Sequence, residues 1–266
     1  MPVENEATPA AARATLARSL SEKIALVIPT LREVESLGVL LDRVRKALDS
    51  TGASFEILVV DDDSQDGTEE LVNAYAREDE RIRLVVRKGE RGLSGAILHG
   101  WQHTDAGILA VMDADMQHPP HMLPDLIHAM LQGNDLVVGS RYACGGRLGE
   151  WNPVRKFISA AAVWVTLPIQ RSSLRVCDPM SGFFMVRRRC IQSLIFQSTG
   201  FKLLLEILVR GHLRSVSVVP FSFGSRAAGK SKASLKVAWD YFQLLVRLYA
   251  IRFAGSAPVI EEAAGD

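Results

Sequence analysis

The sequence predicts an α/β protein with a mainly parallel central sheet and helices on both faces, and three observations support this fold class. Short apolar runs alternate with stretches of helical spacing through the first 140 residues. Several of these runs end in acidic or other polar residues, as strands do when their carboxyl ends form a ligand site. A length of 266 residues with 48% hydrophobic residues fits one globular domain. A single domain is therefore expected.

The alternation of the two patterns assigns the elements in order. Strands are predicted at residues 24–28, 55–60, 82–86, 108–112 and 136–139, and helices at 33–48, 68–75, 93–103 and 122–132. Successive strand–helix–strand units imply parallel strands that are covered by helices on both sides. We expect a flexible arm at residues 1–21, a folded domain at 22–253 and a flexible tail at 254–266.

The two halves of the chain differ in charge. Residues 1–140 contain 13 Lys and Arg against 23 Asp and Glu, whereas residues 141–253 contain 18 against 4. An acidic half suits binding assisted by a cation, and a basic half suits phosphates or an anionic membrane surface. The alternative is that the two halves simply neutralise each other.

Cysteine content and hydropathy bound the location of the protein. The three cysteines have no metal-ligand spacing, which argues against a disulfide framework or a zinc site and favours a reducing compartment. Glu4 and Glu6 precede any apolar stretch, which argues against a secretory signal. No run reaches the roughly 18 apolar residues of a membrane span. We expect a cytoplasmic protein whose membrane contact, if any, is peripheral.

The strongest local signal is the Asp113-Ala114-Asp115 stretch, which directly follows a predicted strand. Residues i and i+2 of an extended chain face the same side, so Asp113 and Asp115 can converge, and Gln117 continues the alternation. Carboxylate and amide oxygens suit Mg²⁺ or Mn²⁺, with a substrate diphosphate supplying further oxygens. His118 could be a further ligand or phosphate contact, or it could be structural.

A second acidic strand end lies at Asp61 and Asp62. A carboxylate at this edge of a sheet can accept hydrogen bonds from a nucleobase or a ribose, and the alternative is ordinary surface acidity. The following Asp66, Gly67 and Thr68 are typical of a turn that caps a helix, which is the interpretation we favour for them.

The glycine-rich segment 89–101 leads into a predicted helix. Backbone amides at the start of such a helix favour anions. The segment matches neither the dinucleotide-binding pattern nor the Walker A pattern, so it supports neither of those functions.

Eight motifs occur in the order found in family 2 glycosyltransferases of the GT-A fold, and they resemble most the branch that makes polyprenyl-phosphate mannose. They are VIPTLREVESL, VVDDDSQDGT, GLSGAILHG, MDADMQHPP, GSRY, DPMSGFF, GFKLLLEIL and FGSRAAGKSK. The resemblance covers nearly the whole chain. It implies one GT-A (Rossmann-like) domain with C-terminal amphipathic interfacial helices. It also implies transfer of mannose from GDP-mannose to a polyprenyl or dolichyl monophosphate, with inversion at the anomeric carbon.

The same resemblance implies roles for individual residues. The nucleotide-sugar would lie against Pro29, Leu31, Glu33, Asp61, Asp62, Asp113, Ala114 and Asp115. The Mg²⁺ or Mn²⁺ ion would be held by Asp113, Asp115 and Gln117. The catalytic set would be Asp115, with Arg141, Arg155 and Ser159 at the lipid or donor phosphates and Arg226 and Lys232 on a loop that closes over the donor.

Leu31 and Arg32 depart from the family pattern, which usually has an aromatic residue and Asn at these positions. Base stacking is then lost or altered, which leaves the guanine preference open. One alternative is a UDP-glucose-dependent polyprenyl-phosphate glucosyltransferase or another family 2 enzyme. A remote alternative is a non-catalytic subunit that binds nucleotide-sugars, against which the intact Asp113 and Asp115 pair argues.

Two apolar segments with basic flanks, 157–169 and 237–253, are too short to span a membrane. Each could lie in the lipid interface or pack as a buried helix on the sheet. The resembling branch commonly uses interfacial helices, which favours peripheral contact with the cytoplasmic face of a membrane, with a possible small anchoring subunit. We therefore expect residues 22–140 to form the nucleotide and metal half and 141–253 the acceptor half. No nucleic-acid partner is expected.

Overall fold

The computed structural model describes residues 22–141, 163–196, 202–222 and 235–254. The predicted arm and nearly all of the predicted tail lie outside this part of the chain. Four of the predicted catalytic residues also lie outside the described residues, namely Arg155, Ser159, Arg226 and Lys232.

The described residues form one seven-stranded sheet with helices packed on it. The strands are β1 (Ile24–Thr30), β2 (Phe55–Asp61), β3 (Ile82–Val86), β4 (Ile108–Val111), β5 (Leu136–Ser140), β6 (Phe184–Arg187) and β7 (Val216–Pro220). The helices are α1 (Val34–Asp49), α2 (Thr68–Glu78), α3 (Leu93–Gln102), α4 (Leu123–Leu131), α5 (Leu203–Arg210) and α6 (Leu235–Ala254). Three short 3₁₀ turns occur at Pro120–Met122, Ser172–Leu174 and Arg188–Cys190.

The strand order is β3-β2-β1-β4-β6-β5-β7. Strand β6 runs antiparallel to both β4 and β5, and the other pairs are parallel. The predicted α/β class with a mainly parallel sheet is confirmed. The inserted β6 was not predicted, and its direction has a consequence for function. Its first residue lies beside the carboxyl ends of β4 and β5, so the segment before Phe184 joins the polar edge of the sheet.

Side chains of β1 alternate between the two faces of the sheet, as the period of a strand requires. Leu26 and Ile28 pack in one cluster with Leu40 of α1. Val27 points to the other face and packs in a second cluster with Ile97 of α3. All five side chains are at most 3% exposed, and full burial of such a side chain stabilises the fold by about 1.5–3 kcal/mol.

Helix α3 lies close to the sheet because residue 100 is a glycine. A Cβ atom at Gly100 would lie 2.9 Å from side-chain atoms of both Val27 and Val60. At the other end of α3, the glycine-rich turn reaches the carboxyl edge of β2, where the amide of Gly92 donates to Asp62 at 2.8 Å.

Helix α6 packs through Leu244 and Leu248 against Leu205 and Val209 of α5. It is the longest helix in the described residues. Among the helices of the described residues, none combines the length and the hydropathy that crossing a bilayer requires.

Candidate active site

Polar residues from three neighbouring strands meet at the carboxyl edge of the sheet. Thr30 at the end of β1 is paired in register with Asp61 at the end of β2. On the other side of β1, the amide of Met112 donates to the carbonyl of Val27 at 3.1 Å, so the chain beyond β4 follows the same edge. The next residue is Asp113, whose side chain is 32% exposed. The polar residues that follow β1, β2 and β4 therefore lie along one edge of the sheet.

The Asp113-Ala114-Asp115 stretch is held by contacts from both sides. The hydroxyl of Ser36, in the first turn of α1, donates to the carbonyl of Ala114 at 3.2 Å. The carboxylate of Asp115 accepts a hydrogen bond from the amide of Gln117 at 3.1 Å. Asp115 and Gln117 are both partly exposed, so their side chains can be reached by a ligand. Ser36 was not predicted, because its partner lies 78 residues away in the sequence.

His118 is a neutral, structural residue beneath this stretch. Its side chain is buried, with its ring stacked on Phe183 at 5.2 Å and edge-on to Phe221 at 5.8 Å. Burial lowers the pKa of His118 to about 3, and the positive charge of Arg141 contributes to the lowering. Nδ1 accepts a hydrogen bond from the amide of Asp113 at 3.1 Å. The 3.6 Å distance from Nδ1 to Oδ2 of Asp113 is therefore not an ion pair.

The backbone of Gly182, just before β6, lies directly against the carboxylate of Asp113. A Cβ atom at this glycine would lie 2.8 Å and 2.9 Å from the two carboxylate oxygens. The side chain of Asp113 therefore occupies space that is available only because residue 182 is a glycine.

The donor set at this edge fits a hard divalent cation that is shared with a substrate. Asp113 and Asp115 would supply carboxylate oxygens and Gln117 an amide oxygen, which suits Mg²⁺ or Mn²⁺ when substrate phosphates complete the coordination. Across the described residues, no group of three or more His, Cys, Asp or Glu side chains is arranged to hold a metal ion. Two carboxylates and one amide oxygen leave coordination positions for substrate phosphates, which fits a cation bound jointly with a diphosphate.

Both carboxylate oxygens of Asp62 accept hydrogen bonds from other residues of the protein. Its partners are Arg87, whose Nε and terminal NH2 nitrogen donate at 2.8 Å and 3.1 Å, and the amide of Gly92, at 2.8 Å. The side chains of Asp62 and Arg87 are each 5% exposed. The predicted nucleoside contact of Asp62 stays a prediction, and what this geometry supplies is an anchor for the glycine-rich turn.

Asp61 organises the loop beside the predicted nucleoside site. It accepts hydrogen bonds from the amide and the hydroxyl of Ser64. The same hydroxyl accepts a hydrogen bond from the amide of Arg32 at 2.8 Å. Arg32 has a positive φ of 60° and an exposed side chain, whereas Leu31 is half-buried. The loop after β1 and the loop after β2 are thus joined through Ser64.

The predicted turn after β2 is present. The carboxylate of Asp66 accepts hydrogen bonds from the amide and hydroxyl of Thr68 at 3.1 Å and 2.6 Å. Its second oxygen accepts from the amide of Val34 at 3.3 Å. Asp66 therefore satisfies amides at the first residues of both α1 and α2. Glu33 immediately precedes α1 and is partly exposed, and Pro29 is buried within β1.

Arg141 follows β5 and is fixed by Asp178. Its guanidinium donates from Nε and NH2 to the two oxygens of Asp178 at 2.8 Å and 2.7 Å, and its backbone amide donates to the same carboxylate at 3.1 Å. Asp178 is 1% exposed. A planar guanidinium held in this way has a defined orientation. Sequence reasoning missed Asp178 because the pair is separated by 37 residues.

Comparison with known proteins identifies the family. Residues 25–195 match the sequence profile of Glycosyl transferase family 2. The chain belongs to this family. The glycosyltransferase is 40% identical over 233 residues to a dolichol-phosphate mannosyltransferase of Pyrococcus furiosus. This match covers 85% of this chain and 63% of that protein. It is also 35% identical over 247 residues to a dolichol-phosphate mannosyltransferase of Saccharomyces cerevisiae, and this match covers 89% of this chain and 91% of that protein.

Solved structures support the fold of the glycosyltransferase. Glucosyl-3-phosphoglycerate synthase of Mycobacterium tuberculosis, solved with Mn²⁺, UDP-glucose and phosphoglyceric acid, superposes with a TM-score of 0.65. The match covers 94% of this chain and 85% of that one at 19% sequence identity. At this identity the likeness shows a shared GT-A-like α/β fold, and it carries no assignment of substrate.

Proposed function

We propose that this glycosyltransferase transfers mannose from GDP-mannose to a polyprenyl or dolichyl monophosphate, with Mg²⁺ or Mn²⁺ at Asp113 and Asp115. The observation that carries the proposal is the placement of two partly exposed carboxylates and a fixed arginine on one edge of the sheet. Asp113 follows β4 and Arg141 follows β5, and both strands pair with Phe184 at the start of β6. The relatives named above, dolichol-phosphate mannosyltransferases, support the choice of sugar and acceptor.

The proposed reaction needs no general base from the protein. The acceptor is a phosphate monoester, which is already ionised near neutral pH and can attack the anomeric carbon directly. The protein must instead bring two phosphate-bearing substrates together against their mutual repulsion and align them for displacement with inversion. A divalent cation, when bound, neutralises charge on the departing nucleoside diphosphate.

The residues of this chain divide that task. Asp113 and Asp115 would hold the cation at the donor diphosphate, with Gln117 beside them. Arg141 would offer its guanidinium to a phosphate while Asp178 fixes its orientation. The predicted contributions of Arg155, Ser159, Arg226 and Lys232 to the same phosphates fall on residues outside the described part of the chain.

An exposed apolar face supports peripheral membrane contact. On α6, the exposed side chains Trp239, Phe242, Val246 and Phe253 recur at helical spacing, and they are 51–67% exposed. The opposite face of α6 is buried, as Leu244 and Leu248 show. We call these four exposed side chains the α6 apolar face.

A second exposed tryptophan lies beside this face. Trp164 is 73% exposed, and its neighbour Val165 accepts a hydrogen bond through its carbonyl from the hydroxyl of Tyr249 on α6 at 2.7 Å. The nearby Arg247 and Arg252 add positive charge. Tryptophan and basic side chains are the residues that anchor helices in the lipid interface. Such contact would bring the enzyme to the membrane that holds a lipid-linked acceptor, with or without a small anchoring subunit.

The donor and acceptor can be tested together with purified protein in detergent. The assay supplies Mn²⁺, dolichyl phosphate and either labelled GDP-mannose or labelled UDP-glucose, and measures label in the lipid phase. Dolichol without its phosphate is the matched acceptor control. We expect label from GDP-mannose only, and only with the phosphorylated acceptor. Transfer from UDP-glucose but not from GDP-mannose would contradict the proposed donor. UDP-glucose is included because Leu31 and Arg32 depart from the family pattern at the predicted base-binding position.

A further inference from the structure

The segment Asp178–Phe183 contacts two parts of the site that are far apart in sequence. At one end Asp178 binds Arg141, and at the other end Gly182 abuts Asp113. We propose that this segment positions both the cation-binding carboxylate and the phosphate-facing arginine, with Asp178 and Gly182 as positioning residues. The inference rests on the proposed function for the role of Arg141, and it deepens that function by naming what sets the geometry of the site.

The Asp178 end provides a charged and buried support. Both of its oxygens bind the guanidinium of Arg141, and one of them also accepts the backbone amide of the same residue. The carboxylate is 1% exposed, whereas the side chain of Arg141 is 18% exposed. Asp178 therefore fixes one edge of the guanidinium, and the Arg141 side chain as a whole stays partly exposed.

The Gly182 end provides a steric support. The distances of 2.8 Å and 2.9 Å from a Cβ atom at this position to the Asp113 oxygens are shorter than van der Waals contact. The φ of Gly182 is not among the positive values of the described glycines, so the backbone itself would accept alanine. The cost of an added methyl group would fall on the carboxylate, which is the far end of a side chain and can rotate away. The glycine is thus needed for the position of Asp113 more than for the fold.

Hydrogen bonds and ring packing hold the other residues of this segment. The Ser181 hydroxyl donates to the carbonyl of Gly139 in β5 at 2.7 Å and accepts from the amide of Phe183 at 3.1 Å. The amide of Gly139 in turn donates to the carbonyl of Phe183 at 2.8 Å. The Phe183 ring stacks on His118, whose Nδ1 accepts from the amide of Asp113. The segment is therefore tied to β5 on one side and to the chain after β4 on the other.

The antiparallel direction of β6 makes this arrangement possible. Because β6 lies between β4 and β5, the residues that enter it pass between Asp113 and Arg141. A parallel strand at that place would bring its carboxyl end to this edge instead. One short segment therefore sets the spacing between the donor side and the acceptor side of the site.

The Gly182 claim is tested by metal binding, independently of turnover. Binding of Mn²⁺ in the presence of GDP is measured by electron paramagnetic resonance for the wild-type protein, Gly182→Ala and Gly38→Ala. We expect Gly182→Ala to weaken Mn²⁺ binding by about 10- to 100-fold, as loss of support around a metal ligand does. Gly38→Ala is the matched control, since a Cβ atom there meets only ordinary contacts of 3.7 Å or more. Wild-type affinity in a folded Gly182→Ala protein would overturn the claim.

The Asp178 claim is tested by the split between KM and kcat. In Asp178→Asn, we expect the KM for dolichyl phosphate to rise about tenfold or more, because a hydrogen bond between charged groups is lost. The affinity for Mn²⁺ with GDP should stay near that of the wild type. A merely structural role would lower kcat with the folded fraction and leave KM unchanged, and that result would overturn the claim. If Asp178→Asn does not fold, Asp178→Glu, which keeps the charge but displaces the guanidinium, must raise the same KM.

Failure of the proposed function would look different. A wild-type protein that binds Mn²⁺ with GDP but transfers no mannose would refute the proposed reaction, while the effect of Gly182→Ala on Mn²⁺ binding would still decide the steric claim. Active wild-type protein with no effect of either variant would refute the positioning inference alone.

Discussion

Arg87 and Asp62 form an ion pair with two hydrogen bonds, of 2.8 Å and 3.1 Å, in which each side chain is only 5% exposed. The guanidinium also donates to the carbonyl of Gly92, whose amide donates to Asp62. Removal of Arg87 would therefore leave the buried Asp62 carboxylate without its ion-pair partner.

We expect Arg87→Met to lower the free energy of unfolding by about 3–5 kcal/mol, because the buried Asp62 carboxyl would lose its ion-pair partner. Urea denaturation followed by circular dichroism measures the change. The matched control is Arg45→Met, which removes an arginine whose 3.5 Å pair with Asp42 lies at the surface, with side chains 31% and 58% exposed. The control should cost about 1 kcal/mol or less. An equal decrease in the free energy of unfolding in the two variants would show that the buried pair of Asp62 and Arg87 stabilises the protein no more than a surface pair does.

The neutral state of His118 predicts a dependence of stability on pH. The pKa of His118 is about 3 in the folded protein, below its ordinary value of 6.5. Between these values the unfolded chain takes up a proton and the folded chain does not, so stability falls as the pH is lowered below about 6.5. Lowering the pH from about 7.5 to about 5.5 should cost about 1.4 kcal/mol through this residue.

The variant His118→Asn isolates this effect, since asparagine keeps an acceptor for the Asp113 amide but does not titrate. Both proteins are unfolded with urea at the two pH values. The wild-type protein should lose more stability on acidification than the variant does, whatever the difference between them at the higher pH. Parallel losses would mean that His118 is not held neutral.

Much of the fold could be predicted because its signals are local. The boundaries of β1 to β5 follow from apolar runs such as 55–60, and the helices between them follow from apolar spacing. The position of Asp113 at a strand end follows from the same pattern. The turn at Asp66 was also predictable, because its hydrogen-bond partner Thr68 lies two residues away.

The rest depends on pairing between distant residues. Strand β6 has only four residues, and nothing local to Phe184–Arg187 indicates that it inserts antiparallel between β4 and β5. The supports of the site are likewise remote in sequence, as Asp178 is from Arg141. The close contact between Gly182 and the Asp113 carboxylate depends on the absence of a side chain, so no side-chain pattern in the sequence indicates it. The DPMSGFF motif resembles one found in the family, but the resemblance does not say what the motif contacts. Those contacts follow from the position of β6 in the sheet.

The α6 apolar face predicts weak binding to membranes. Replacing Trp239 and Phe242 together by serine should lower binding to anionic vesicles, because these side chains are 59% and 54% exposed and offer apolar area to the lipid interface. Co-sedimentation with phosphatidylglycerol vesicles measures the bound fraction. Val39→Ser on α1, which removes a side chain that is 50% exposed, is the control and should leave binding unchanged. Unaltered vesicle binding in the double variant would assign membrane contact to another surface.

The central claim is that Asp113 and Asp115 hold the cation through which the donor diphosphate is bound and released. Its most direct measurement is the transfer of labelled mannose from GDP-mannose to dolichyl phosphate by wild-type protein and by Asp115→Ala, with Mn²⁺ present and the folded state of both proteins verified. We predict that the wild-type protein labels the lipid and that the folded variant does not. Turnover at the wild-type rate by Asp115→Ala would contradict the account.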